Sequence, residues 1–412
     1  MAQSYGSWSA AVTGIGLVTA AGHSAKETWR EVTTAPSPRG VRSLASLRDL
    51  PCDFMYTVEG LDLDGRLGRA TLLLDRFAQF AVIAAREAVA DAGLDPETWD
   101  GARVAVVVGT AHGGLLYYDE QQAVLSERGA RRVAPKVAPL SMPNNATGGI
   151  CQDLGARGPS LTVSTACASG TDAIGTALGW LRANRCDIAV AGGAEALRSP
   201  LMFASTCRMR ALSTRVDNPA AACRPFDAGR DGFVVGEGAG LLVLERPEHA
   251  RARGATVRAH LAGYGSTSDA LSPVAPDESG QGIEAALRAA LADAEVAAGD
   301  IGHVNAHGTS TVMNDLIESA ALHRVFGDRP LVTSTKAMTG HALGATGGIE
   351  AALTALALEE QLVPPTVNLD VQDPDVPVDV VARTARPARF ACAASSSLGF
   401  GGHNAVLVLT RA

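Results

Sequence analysis

The sequence predicts an α/β protein built from two related halves, and three observations carry that reading. Short β-branched runs alternate with longer Ala- and Leu-rich stretches of helical period. One strand–turn–helix unit occurs twice, about 170 residues apart. Glycine supplies 44 of 412 residues and aromatics only 4 %, so the interior must be made of small side chains, glycine alone exceeding its usual ~7 %.

The elements follow in order. AAVTGIGLVT (10–19) reads as a strand breaking into a glycine turn, and FAQFAVIAAREAVADAG (77–93) as a helix closed by Gly93. RVAVVVGTA (103–111) is a continuous apolar run, the pattern of a strand covered on both faces. LTVST (161–165), CDIAVAGG (186–193) and GAGLLVLERP (238–247) read in the same style. The second half repeats the rhythm with VRAHLAGYGSTS, the helix GIEAALRAALADAEV, the strand around HVNAHGTST and the strand LVTSTK. The duplication is specific. LTVST leads through ACASG into the helix TDAIGTALGWLRA, and LVTST (331–335) leads through KAMTGHALGATGG into IEAALTALALEEQ. The divide falls in RPEHARARGA, giving halves 1–253 and 254–412 that share an interface, since no low-complexity linker parts them.

Composition excludes several classes. Hydrophobic residues at 47 % against 19 % charged exclude a disordered chain and a coiled coil. A net charge of -8 argues against a nucleic-acid binder, which needs lysine and arginine in excess. No apolar run approaches the ~18 residues of a membrane span, and MAQSYGSWSAAVTGIG lacks the basic and apolar regions of a secretory signal, so a cytoplasmic protein is expected. Cysteines 52, 151, 167, 186, 207, 223 and 392 are scattered without a CxxC, so neither a zinc site nor a disulfide framework is read from them, and most are expected to be small buried apolar groups.

Cys167 is different. It lies in Ser164-Thr165-Ala166-Cys167-Ala168-Ser169-Gly170, where a strand gives way to a helix within a few residues. A sulfur at a helix N-terminus gains from unpaired N–H groups and the helix dipole, which lower a thiol pKa. The segment alone is equally compatible with a core cysteine at a tight crossing. Two histidine segments bear on the choice. A lone histidine is usually structural, and His23, His249, His260, His303 and His323 need no special role. His307, in Asn305-Ala306-His307-Gly308-Thr309-Ser310-Thr311, and His341, in the glycine turn of the duplicated unit, stand where small neighbours leave the rings accessible. If the halves stack about a pseudo-twofold axis, His341 lies opposite Cys167. One cysteine with two histidines suits acyl transfer followed by carbon–carbon bond formation: the sulfur takes an acyl group from a thioester, and two Nε2–H donors stabilise the enolate left when a malonyl-type thioester loses CO₂. Lys336 adds a fixed cation. Asp315, Glu318 and Glu350 are the carboxylates best spaced to hold it, the first two at i and i+3 on one helix face; Glu318 alone reads equally as part of a solvated face.

These residues resemble the β-ketoacyl-acyl carrier protein synthase (ketosynthase) family of the thiolase superfamily. The likeness runs from VTGIGLVTAAG to SSLGFGGHNAVLVL through TACASG, AHGTST, STKAMTGHALGATG and RPFDAGRDGFVVGEGAGLLVLE, and is nearest to elongating ketosynthases of fatty-acid and type II polyketide systems. It implies a thiolase-like fold of five αβαβα layers and decarboxylative Claisen condensation of a Cys167-bound acyl chain with malonyl-acyl carrier protein. No free cofactor or metal is implied, because phosphopantetheine arrives on the carrier protein. It further implies that Thr309 and Thr311 bind that arm, that Phe400 gates Cys167, and that the chain pairs as a homodimer or with a chain-length-factor-like homologue. A degradative thiolase would place a second cysteine in Gly399-Phe400-Gly401-Gly402-His403-Asn404, and a chain-initiating synthase an asparagine for one of the two histidines; neither is present. A non-condensing chain-length subunit, which usually lacks the nucleophile, and a loading-only acyltransferase remain as alternatives. Several departures point to a polyketide or polyene pathway. Arg69-Ala70-Thr71-Leu72-Leu73-Leu74-Asp75 has little of the basic patch used for a carrier, leaving Arg210 as the candidate contact. Leu271-Ser272-Pro273-Val274 replaces a His-Met-Thr loop. His112, where an aliphatic pocket residue is common, either shortens or re-polarises the acyl tunnel or is a satisfied core histidine.

Overall fold

The computed structural model describes residues 8–412; the start of the segment read for a signal lies outside them. Ten strands of an eleven-stranded sheet form the framework, the eleventh being the two-residue strand Asp379–Val380 at the outer edge of the second half. In the first half they are β1 (Ala10–Val18), β2 (Val104–Gly109), β3 (Ser160–Val163), β4 (Ile188–Glu195) and β5 (Gly238–Glu245). In the second they are β6 (Ala259–Ser268), β7 (Ile301–Asn305), β8 (Leu331–Thr333), β9 (Cys392–Gly399) and β10 (His403–Arg411). The first half runs β1-β5-β4-β2-β3 and the second β6-β10-β9-β7-β8, the same order counted within each half. Pairing senses also agree: the fifth strand is antiparallel to its two neighbours, and the fourth, second and third are parallel. Duplication is therefore a property of the topology as well as of the repeated sequence unit. The halves join where Ala10, Ala11 and Val12 of β1 pair with Leu261, His260 and Ala259 of β6.

Six helices complete five layers. Outer helices α1 (Arg76–Asp91) and α2 (Asn145–Leu154) cover the first half-sheet, α1 capped by the Asp75 carboxylate and turned off beside Gly93 at φ +65°. Helices α4 (Gln281–Ala294) and α5 (Val312–Phe326) cover the second. Between the sheets lie α3 (Ser169–Arg182) and α6 (Thr346–Glu360), the two helices of the duplicated unit. Helix α6 packs on β4 and β5 on one side and on β9 and β10 on the other, so it is buried all round. That double coverage explains the glycine excess. A Cβ on Gly348 would stand 2.2 Å from the Gly240 carbonyl oxygen, and one on Gly170 2.7 Å from the Gly348 nitrogen. The middle layer closes only because these positions have no side chain.

One strand expectation changes, and one hairpin goes unread in the sequence. β3 is an edge strand paired only with β2, and Leu161 on it is 43 % exposed, so its β-branched run does not mark burial on both faces. The hairpin β9–β10 is scarcely visible in the sequence because Ser395, Ser396 and Ser397 stand fully buried where an apolar run would announce a strand. Cys151 and Cys207 are half-buried rather than core residues. Among the described residues no helix is long and apolar enough to cross a membrane.

Candidate active site

β3 ends in an elbow. Ala166 takes φ +51°, a left-handed conformation costly for a residue with a side chain, and a tight turn over Ala166–Ala168 runs into α3. Ser169 clamps the elbow, its hydroxyl accepting from the Thr165 N–H at 2.9 Å and donating to the Ala166 carbonyl at 2.6 Å. Cys167 is thereby held at the head of α3. The equivalent turn after β8 carries His341, whose Nε2 lies 3.1 Å from Cys167 Sγ. On the other side of the ring, Nδ1 is 3.1 Å from the Thr346 hydroxyl, and Phe233 packs edge-on at 5.1 Å. His307 follows β7, and its ring centroid is 5.2 Å from that of His341. One nitrogen or sulfur from each of Cys167, His307 and His341 falls within 4.8 Å of the others.

Charges around this trio are buried and divided among partners. Lys336 Nζ donates to the His307 carbonyl and, at 2.5 Å, to Glu350. Glu350 is the carboxylate that holds Lys336. Glu318 and Asp315, expected to share that task, do other work. Glu318 is fully buried, and its two oxygens accept from the His307 and Gly308 N–H groups at 2.7 and 2.8 Å, with the Ser396 hydroxyl at 2.7 Å. It pins the backbone that carries His307. Asp315 accepts from the Phe226 and Ser310 N–H groups and lies 3.5 Å from Arg230. Burial forces this division, since a carboxylate inside the protein needs donors at once. Burial also raises Glu350 to about 8 and Asp315 to about 6, against the pull of Lys336 on the first and of N–H donors and Arg230 on the second.

The thiol departs from expectation. Burial pushes Cys167 up to about 12, while the Lys336 cation and the N–H groups of Phe400 and Cys167 itself pull it down. The resting sulfur is therefore a thiol facing an imidazole, not a preformed thiolate. His307 and His341 are held well below the usual histidine range, first by burial and then by Lys336, so both rings are neutral. Cysteine with two histidines is also a donor set for a metal ion. Here the Lys336 ammonium already supplies the local positive charge, which disfavours a second cation beside it.

The trio opens into a cavity of about 380 Å³. Thr309 and Thr311 line it with their hydroxyls 2.9 Å apart, and Phe400, 42 % exposed, stands at the β9–β10 turn beside Cys167. His112 lines the same cavity, as do Val274 of the altered loop and Pro276 just after it. Arg210 is exposed with φ +57°, next to Met209 on the cavity wall.

Comparison with known proteins identifies the family of the chain. Residues 9–250 match the family "Beta-ketoacyl synthase, N-terminal domain" and residues 258–370 "Beta-ketoacyl synthase, C-terminal domain". The chain belongs to the β-ketoacyl synthase family. It is 40 % identical over 406 residues to 3-oxoacyl-[acyl-carrier-protein] synthase 2 of Staphylococcus aureus (strain COL), covering 97 % of each chain. Among solved structures it is similar to the ishigamide ketosynthase/chain length factor, with TM-score 0.91, 34 % identity and coverage of 98 % and 99 %. It is also similar to a type II PKS acyl-carrier protein in complex with its ketosynthase bound to the hexaketide, with TM-score 0.89, 32 % identity and the same coverage.

Within this β-ketoacyl synthase, several site residues escape a sequence reading. Glu195 closes β4 fully buried and accepts from the Ala111 N–H at 2.7 Å. Its only signal was a carboxylate ending the apolar run Ala191-Gly192-Gly193-Ala194. Thr346 and Phe233, which hold the His341 ring, carry no chemistry of their own to flag. Arg230, nearly buried, donates to the carbonyls of Thr311 and Val312 and so fixes the threonine loop.

Proposed function

We propose that this chain is an elongating ketosynthase that condenses an acyl group on Cys167 with a malonyl unit on an acyl carrier protein. The convergence of Cys167, His307 and His341 on one cavity carries the reading. In loading, the neutral His341 Nε2 takes the thiol proton as sulfur attacks the thioester carbonyl. The Cys167 and Phe400 N–H groups receive the developing oxyanion, and the imidazolium returns the proton to the departing carrier thiolate. In the second stage the malonyl carboxylate leaves as CO₂, and the thioester oxygen gains charge between the Nε2–H groups of His307 and His341. The enolate carbon then bonds to the acyl carbonyl carbon, the C–S bond breaks, and the Cys167 sulfur leaves as a thiolate that regains a proton from solvent. His341 must accept in the first stage and donate in the second. The Thr346 hydroxyl permits both, since it can accept from a protonated Nδ1 or donate to a bare one.

The remaining roles follow from position. Thr309 and Thr311 bind the phosphopantetheine arm, which the carrier brings, and Phe400 gates the sulfur. Arg210 contacts the carrier at the cavity mouth. The edge strand β3 suits continuation of the sheet into a second chain of this fold, as a homodimer or with a chain-length-factor-like homologue. The halves divide as 1–253 and 254–412, the site lying between them. The altered 271–274 loop and His112 favour a type II polyketide or polyene pathway. A loading-only acyltransferase would give His307 no task, and a non-condensing subunit would need no nucleophile. Mass spectrometry after incubation with an acyl-carrier thioester should show an adduct on Cys167 that Cys167→Ala abolishes. Condensation that persists in Cys167→Ala would overturn the assignment.

A further inference from the structure

His112 follows β2 and faces two different surroundings. Its Nδ1 is buried, has no hydrogen-bond partner among the described residues, and lies 3.9 Å from Glu195. Glu195 has no lysine or arginine within ion-pair reach among the described residues; it is satisfied by the Ala111 and Gly344 N–H groups and the Thr110 hydroxyl. Among the described residues the imidazole is the one side chain able to bring a positive charge to that carboxylate, and Nδ1 is the ring nitrogen turned toward it. The opposite atom, Nε2, is the polar end left to the cavity shared with Cys167. Leu197, Met202, Phe233 and Leu343 give that cavity much of its apolar wall.

We propose that His112 makes the acyl arm of this cavity a site for chains bearing an oxygen substituent, preferentially a hydroxyl. A saturated alkyl chain would strip water from Nε2 and offer nothing in return, leaving a desolvated polar atom among hydrocarbon. A hydroxyl satisfies Nε2 in either state of the ring, donating to it when the ring is neutral and accepting from it when charged. Sites built around a buried polar group reject the analogue lacking its partner more strongly than hydrocarbon pockets reject an extra methylene. The consequence is selection for partly reduced, oxygen-retaining chains over fully reduced ones.

This inference rests on the ketosynthase reading, so the test measures loading of Cys167 directly. The protein is offered equimolar pairs of N-acetylcysteamine thioesters of equal carbon number, one saturated and one hydroxylated at C3 or C5, and the adducts are weighed by mass spectrometry. The hydroxyacyl adduct should predominate about tenfold, the effect of one buried hydrogen bond left unmade. His112→Phe should remove that preference, and His112→Gln, which keeps a polar end, should retain part of it. Equal loading in the wild type, or the same ratio in His112→Phe, overturns the inference while leaving the ketosynthase reading intact. No adduct from any donor defeats both.

Discussion

Lys336 reaches the imidazoles of His307 and His341 electrostatically while bonded to the His307 carbonyl and to Glu350. Its charge and the surrounding burial act in one direction on the rings, opposing protonation, and hold both well below the usual histidine range, as the proposed donor role requires. The decarboxylation rate should therefore show no histidine limb between about pH 6 and 7.5, the range where an unperturbed ring titrates. Replacing the ammonium removes one cause of the depression at each ring, leaving burial at both and the neighbouring His341 at His307. In Lys336→Met the histidine pKa values should rise while burial still keeps them below the free value, so an acid limb should move upward toward about pH 6 and the variant should lose activity on acidification sooner than the wild type. Malonyl-thioester decarboxylation measured as CO₂ release against pH checks this. A variant profile that scales down uniformly, without change of shape, would show that Lys336 acts by position and not by charge.

The elements around the site hold it by contacts that leave no room for side chains. Gly348 opens the first turn of α6, where a Cβ would collide with the Gly240 carbonyl oxygen at 2.2 Å and the Gly193 nitrogen at 2.5 Å. Both are backbone atoms inside sheets and cannot swing aside. Gly348→Ala should cost about 1–3 kcal/mol or more, the usual range for overpacking a dense core. Gly148 provides the contrast: it lies within α2, has no positive φ, and a methyl group there would meet nothing within 4 Å. There alanine should stabilise by about 0.5–1 kcal/mol through helix propensity. Urea unfolding of the two variants separates the effects. If both shift the midpoint alike, the close approach of the half-sheets through α3 and α6 is not what demands glycine.

At the scale of the whole molecule, the duplicated order was legible because a strand followed by Ser-Thr and a glycine turn is a compact signature. Cys167 and His341 were legible because the two turns are equivalent in that duplication. The carboxylates were not, because Asp315, Glu318 and Glu350 are interchangeable by type and spacing, and only packing decides which backbone N–H or ammonium each one meets. Nor was the edge position of β3, since a run of four residues reads alike at an edge and in a centre. That edge has a consequence. Ser160–Val163 carries no proline and no charge, the usual guards against edge-to-edge pairing, and presents Leu161 to solvent. An unguarded strand of this kind persists when another chain covers it. Leu161→Glu would place a charge where that strand must pair, and sedimentation should then move the protein from the mass of a two-chain assembly to that of one chain. Cys167 and both histidines come from this same chain, so the separated variant should still accept an acyl group. An unchanged sedimentation mass would place the second chain on a different surface.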